Sequence, residues 1–241
     1  MSASVGALRH HFEDIEQQRG AERLGMWMFL ATEILFFGGL FFGYTVYRWL
    51  YPKDFAAMSS LLNVFVAGIN TVILLTSSLT MTLAIRASQL GNNGSLKRNL
   101  LATAVLGTAF MGFKAYEYTA DYHEKLLPWK ADFGSAVLHE HEHEHKTQLQ
   151  VWEEEGVAPQ RARLFMTFYF IMTGIHGVHL IIGIAVVLYL WVRAVRKTLT
   201  PDKYVAVEVT SLYWHLGDAI WLFLMPLLYL AGSHSIADLK F

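Results

Sequence analysis

Apolar residues gather along this chain into five blocks, each long enough to cross a lipid bilayer, with polar and charged residues between them. The blocks run from about Leu24 to Trp49, Leu61 to Ser88, Leu100 to Tyr122, Leu164 to Val192 and Val205 to Leu230. A helical span needs roughly 20 mostly apolar residues to cross about 30 Å of hydrocarbon. Lipid-facing backbone must satisfy its own hydrogen bonds, so the blocks predict helices. None of them alternates at period two, as a barrel strand does. The expected fold is all-α: a polytopic membrane bundle of five transmembrane helices within 24–232, with a polar segment 1–23 before it and a tail 233–241 after it.

The punctuation agrees with that division. Tyr51-Pro52-Lys53-Asp54 ends the first helix, and Gly91-Asn92-Asn93-Gly94-Ser95 is a turn cluster ending the second. The segment 197–203, with Pro201, separates the last two spans, and a long His/Glu-rich loop occupies 123–160. Residues 1–20 carry Arg9, Glu13, Asp14, Glu16 and Arg19, which leaves no apolar core for a signal peptide. Phe12 and Ile15 among those charges fit either an interfacial amphipathic helix or a frayed tail. Basic residues orient the bundle. With the N-terminus cytoplasmic, the inner segments hold Arg9, Arg19, Arg23, Arg86, Lys97, Arg98, Arg193, Arg196, Lys197 and Lys203, and the short outer ones only Arg48, Lys53 and Lys240. Lys125, Lys130, Lys146, Arg161 and Arg163 sit in or beside the long loop, where charge weighs less. The N-terminus is therefore expected inside and the C-terminus in the periplasm.

Composition adds a few exclusions. Charged residues make up 16% of the chain and hydrophobic ones 54%, against about a quarter charged in soluble domains. The absence of cysteine rules out disulfides, thiolate metal sites and a Cys nucleophile. A net charge of −1 gives no basis for binding nucleic acid. No internal repeat is visible, and an odd number of spans argues against an inverted-repeat transporter.

Ionisable residues inside the spans carry the chemistry. Each costs about 2.5–3.5 kcal/mol at a helix centre and needs a partner or a purpose. Glu33 lies roughly 13 Å into the first span at 1.5 Å per residue. His176 and His179, three apart, share a face of the fourth span, and His215 and Asp218 repeat the spacing in the fifth. His179 and Asp218 lie about 20 Å deep from the cytoplasmic side and His215 about 15 Å, so these five residues are placed to meet near mid-membrane. Spacing leaves three readings open, in this order: hydrogen-bonded packing, proton handling, metal binding. Lys114 and Glu117, nearer the outer face of the third span, are expected to form a local ion pair. The run His139 to His145, alternating His and Glu, reads as a solvated, pH-sensitive segment ahead of a zinc or copper chelate. Gly39-x-x-x-Gly43, with Gly174, Gly177 and Gly183, points to close helix packing.

Four segments, taken together, resemble subunit III of haem–copper oxidases, in its five-helix bacterial form. They are Leu24-Gly25-Met26-Trp27-Met28-Phe29-Leu30-Ala31-Thr32-Glu33 running on to Gly39; Gly112-Phe113-Lys114-Ala115-Tyr116-Glu117-Tyr118; Thr173-Gly174-Ile175-His176-Gly177-Val178-His179 with Gly183; and Tyr213-Trp214-His215-Leu216-Gly217-Asp218-Ala219-Ile220-Trp221. They occur in the family's order, each on a separate span.

The resemblance implies a subunit of a cytochrome c oxidase-type, proton-translocating oxidoreductase of the bacterial inner membrane, in aerobic respiration. The chain itself would hold no catalytic residue, metal or redox cofactor. The haems and copper would belong to partner subunits I and II, with cytochrome c as electron donor to the complex and phospholipid bound. Its role would be assembly, lipid binding, stability and proton uptake of the catalytic subunit. Glu33 falls on the family's intramembrane glutamate, and His176, His179, His215 and Asp218 on its polar positions. There are two departures from the family pattern. The longer family form has two further helices ahead of this start, and Gly217 stands where a bulkier residue is common. Rivals are a quinol oxidase subunit III or a nitric oxide reductase accessory subunit, told apart by electron donor and haem type. From other classes come an independent proton-coupled transporter and an assembly factor absent from the mature complex.

Overall fold

The computed structural model describes residues 12, 14–136, 147–154, 156–197, 199 and 204–232. These form seven helices: α1 Ile15–Leu50, α2 Pro52–Ser60, α3 Val64–Gln89, α4 Asn93–His123, α5 Gln148–Glu154, α6 Pro159–Val195 and α7 Val205–Tyr229. Five are long, with 36, 26, 31, 37 and 25 residues for α1, α3, α4, α6 and α7. At 1.5 Å per residue even α7 is about 37 Å long, more than the hydrocarbon thickness. Three of them, α1, α3 and α6, are both long and apolar enough to cross a membrane. The apolar run of α4 is interrupted by Lys114, Glu117 and Asp121, and that of α7 by His215 and Asp218. The first helix opens at Ile15, ahead of the apolar block, and runs unbroken to Leu50.

Helix ends follow from local chemistry. Asp14, Asn63 and Asn92 each accept a hydrogen bond from the backbone N–H three residues on, capping α1, α3 and α4. At the end of α3 the chain turns through Gly91 (φ +69°). Asn92 N–H reaches Ala87 O at 2.9 Å and Gly91 N–H reaches Ser88 O at 3.2 Å. This is a Schellman motif, which needs a left-handed residue where glycine stands. Pro52 and Pro159 open α2 and α6, where a missing N–H costs nothing. The start of α6 is fixed from outside: Asp54 of α2 accepts from Ala158 N–H (2.9 Å) and from Arg161 (3.2 Å).

The core is a ring in which α3, α4, α6 and α7 each pack on two of the others, while α1 lies mainly along α7. The face of α3 turned to that ring is a stripe three and four residues apart, Ala67, Asn70, Leu74, Ser77, Met81 and Ala84, all buried. One side chain locks the ring. Trp214 of α7 fills a seat between Gly107 of α4 and Gly183 of α6, and its indole N–H donates to Ser77 of α3 at 3.1 Å. A Cβ at Gly107 would stand 2.7 Å from that indole. Gly183 is tight as sequence suggested, whereas a Cβ on Gly39 would meet nothing within 4 Å and one on Gly43 only Phe168 at 3.7 Å. The closest helix approach is thus set by Gly107, a glycine outside any recognisable pattern.

Candidate functional site

The polar residues of the spans fall into four groups: the Lys114–Glu117 pair stands apart, as expected, and the five residues placed near mid-membrane divide into three. The first joins α1 to α6. Glu33 Oε2 lies 2.9 Å from His179 Nε2. His179 Nδ1 lies 3.1 Å from Ile175 O, and a carbonyl only accepts, so Nδ1 carries a hydrogen. That fixes the tautomer. The Glu33–His179 contact then holds one proton, as carboxylate with imidazolium or as carboxylic acid with imidazole, and the pair is neutral overall either way. Around it, Tyr213 stacks on the imidazole (6.0 Å between centroids) and donates to His179 O at 3.0 Å, while Phe37 meets the ring edge-on at 5.4 Å. Both side chains remain partly exposed, 19% for Glu33 and 17% for His179.

The second group lies between α3 and α7. His215 Nδ1 is 2.8 Å from Ser78 Oγ, and its Nε2 is 3.4 Å from Thr82 Oγ1. Asp218 stands one turn away, its Oδ2 4.0 Å from His215 Nδ1. The Asp218 carboxyl is buried, with the Ser78 hydroxyl that also meets His215 beside it. His176 is a group by itself. It is 1% exposed, lies beside Phe110 and Trp221 at 5.7 and 5.5 Å, and has no partner on either ring nitrogen. Glu33 is hydrogen-bonded to neither His176 nor Asp218; the structure joins Glu33 with His179 and His215 with Asp218, and leaves His176 between them.

The fourth group exceeds the local pair read from sequence. Lys114 Nζ donates to Glu117 Oε2 at 2.9 Å and to the hydroxyls of Tyr229 and Tyr169 at 2.8 and 3.3 Å. Glu117 Oε1 in turn accepts from Tyr169 (2.9 Å) and from Tyr229. The rings of Tyr118, Tyr169, Trp221 and Tyr229 stand 5.1–5.5 Å from the ammonium, a cation–π cage. Lys114, Glu117 and Asp121 are all at least nine-tenths buried along one face of α4. Sequence reasoning missed Asp121, although its place four residues beyond Glu117 on the same face is a usable signal. It also missed Tyr169, Tyr229 and Ser78, which carry no such signal because a tyrosine or serine in a span looks like any other.

Among the described residues no three His, Asp or Glu side chains converge as metal ligands. His176 stands between the rings of Phe110 and Trp221 with no hydrogen-bond partner on either nitrogen. The alternating His/Glu run lies outside the described residues.

The four motif segments therefore sit on α1, α4, α6 and α7. The chain matches the family described as cytochrome c oxidase subunit III over residues 7–124 and 156–233. It belongs to that family. A cytochrome c oxidase subunit 3 of Thermostichus vulcanus is 28% identical over 209 residues, covering 86% of each chain. One of Alkalihalophilus pseudofirmus is 27% identical over 87% of this chain and 86% of the relative. A probable quinol oxidase subunit 3 of Staphylococcus saprophyticus is 26% identical over 93% of this chain and 98% of the relative.

This subunit III is thus a membrane protein of a haem–copper respiratory oxidase, a complex whose cofactors sit in other subunits in this family. Of the two departures noted from sequence, Gly217 is not explained by local packing. A Cβ there would meet nothing within 4 Å, so this chain's own packing does not require glycine at that position.

Proposed function

We propose that this subunit III serves a bacterial terminal oxidase fed by cytochrome c, crossing the inner membrane five times with its N-terminus cytoplasmic and its C-terminus periplasmic. It docks on catalytic subunit I beside subunit II, and it supports assembly, lipid binding, stability and proton uptake there without a redox centre of its own. The five-span reading draws support from the lengths of α4 and α7, which exceed the bilayer despite their polar residues. Lys114, Glu117 and Asp121 of α4 and Asp218 of α7 are buried within the bundle, which is how a span carries ionisable groups.

The observation that carries the proton role is the Glu33–His179 pair. Nδ1 is committed to Ile175 O, which leaves Nε2 and the carboxylate, both partly exposed, to exchange a proton. A neutral pair of this kind can take up one proton by becoming imidazolium with carboxylic acid, and release it again without moving a helix. It buffers protons for a neighbouring uptake path.

Glu33→Gln tests this in the purified complex. The amide keeps the size but cannot accept a proton. The expected result is near-normal initial oxygen consumption that decays several-fold faster over successive turnovers. Unchanged decay together with unchanged assembly reduces Glu33 to packing. The likeness to a probable quinol oxidase subunit over almost its whole length favours a second reading, a quinol donor. Oxidation of reduced cytochrome c by the complex supports the first reading, and oxidation of quinol alone the second.

A further inference from the structure

The polar hydrogens of the Lys114 cluster are all committed. Lys114 has three, taken by Glu117 Oε2, Tyr229 Oη and Tyr169 Oη at 2.9, 2.8 and 3.3 Å. The Tyr169 and Tyr229 hydroxyls have one each, and both go to Glu117 Oε1. Glu117 thus accepts three hydrogen bonds opposite one positive charge, as a carboxylate does. No donor remains in the cluster for a second acid.

Asp121 is that second acid. It lies one turn beyond Glu117 on α4, close to the end of the helix at His123, and is 6% exposed. Its Oδ2 is buried without a partner, and the hydroxyl beside its carboxyl is that of Tyr169, whose one hydrogen is given to Glu117. The other titratable groups facing it are Tyr118 and Glu124 of α4 and Tyr229 of α7. The stretch 64–74 of α3 contains no ionisable residue, and Lys125, the next cation along the chain, is turned to Ser135 at 3.1 Å.

An ionised Asp121 would set two negative charges against the one ammonium of Lys114, with no donor for the second. A buried carboxylate in that position takes up a proton instead. As an acid it gains what its surroundings lack. Its own hydrogen becomes the donor, and the Tyr169 oxygen, which accepts from Lys114, has a second lone pair to receive it.

We infer that Asp121 is a protonated carboxylic acid donating to the Tyr169 hydroxyl, so that Lys114, Glu117 and Asp121 form one neutral, proton-holding site beneath the C-terminal end of α4. It is a second protonatable site in this subunit and lies inside the ring, whereas Glu33 and His179 share their proton across the contact of α1 with α6. It depends neither on the electron donor nor on any role of Glu33. Release of its proton leaves an uncompensated negative charge where α4, α6 and α7 meet.

Infrared spectroscopy of the whole oxidase complex at neutral pH tests the assignment, with aspartate unlabelled or labelled with heavy carbon at its carboxyl. The wild-type spectrum minus that of Asp121→Asn is expected to show one carboxylic acid C=O band that moves to lower frequency with the label. No acid band in the difference means that Asp121 is ionised, and overturns the inference. A band indifferent to the label puts the proton on another acid such as Glu117, and overturns it too. Tyr169→Phe removes the acceptor and is expected to shift the Asp121 band to higher frequency; an unmoved band refutes the hydrogen bond. Retention of the subunit in detergent gives an independent reading. Asparagine keeps the shape of the neutral acid and donates through its amide, so Asp121→Asn is expected to leave the complex no faster than wild type. Loss several-fold faster than wild type marks a required carboxylate and sinks the inference.

Discussion

A single ammonium group decides whether the centre of α4 is tolerable in a membrane. Lys114, Glu117, Tyr169 and Tyr229 satisfy one another so fully that the charged pair is neutral, hydrogen-bonded and ringed by aromatic faces. Removing one partner strands the other, and a buried charge left alone costs about 3–5 kcal/mol. Lys114→Met is therefore expected to destabilise the protein severely, and adding Glu117→Gln to recover a large part of the loss. Thermal unfolding in detergent of the two single variants and the double variant reads this directly; additive losses overturn it. Tyr229→Phe removes one hydroxyl that both accepts from Lys114 and donates to Glu117. It is expected to cost about 1.5–3 kcal/mol, as hydrogen bonds to charged groups do, and a melting temperature equal to wild type contradicts that.

At the scale of elements, α1 is the loosest of the five long helices and α7, which packs on α3, α6 and α1, is tightly held. The span of α1 buries Leu30, Phe37 and Tyr44, one residue every seventh, so it touches the bundle along a single narrow stripe. Two hydroxyls tie the outer ends together. Tyr44 donates to Leu227 O at 2.8 Å and Ser59 to Leu228 O at 2.7 Å, taking up carbonyls that the end of α7 leaves unpaired. Each of Tyr44→Phe and Ser59→Ala is expected to cost about 1 kcal/mol, visible as faster hydrogen exchange in the last turn of α7. The glycines separate in the same way. Gly107→Ala drives a Cβ into the Trp214 indole and is expected to cost about 1–3 kcal/mol. Gly217→Ala enters open space and gains up to about 1 kcal/mol of helix propensity. Melting curves should move in opposite directions; a parallel shift refutes the packing argument.

For the whole molecule, five crossings put the two ends on opposite sides of the membrane. Reporter fusions should show activity on the cytoplasmic side for the N-terminus and on the periplasmic side for the C-terminus; both ends on one side eliminates the five-span reading. The ring of α3, α4, α6 and α7 closes on itself, while α1 is attached by its stripe, by the Glu33–His179 pair and by Arg23 with Glu208 at 2.9 Å. Motion of α1 against the ring is thus the deformation the contacts oppose least. It passes through the Glu33–His179 pair, which bridges α1 and α6.

The five long helices and the family were legible in the chain, because apolar blocks, the breaks at Pro52 and Gly91 and the four motifs are local signals that no distant contact can erase. The short helices α2 and α5 carry no apolar block of that length. The pairing at i and i+3 that joins Lys114 with Glu117 was legible too. What the sequence left open was azimuth. Residues three apart share a helix face, yet nothing local says which neighbouring helix that face meets. Only the packed structure turns His179 to Glu33, His215 to Ser78 and His176 into an aromatic pocket, dividing what spacing had placed together. It alone brings Tyr169 and Tyr229, from two other helices, onto the Lys114 pair, and seats Trp214 against Gly107. Hydrophobic pattern is written one residue at a time, whereas convergence of side chains depends on helix rotation and crossing, which the whole bundle settles at once.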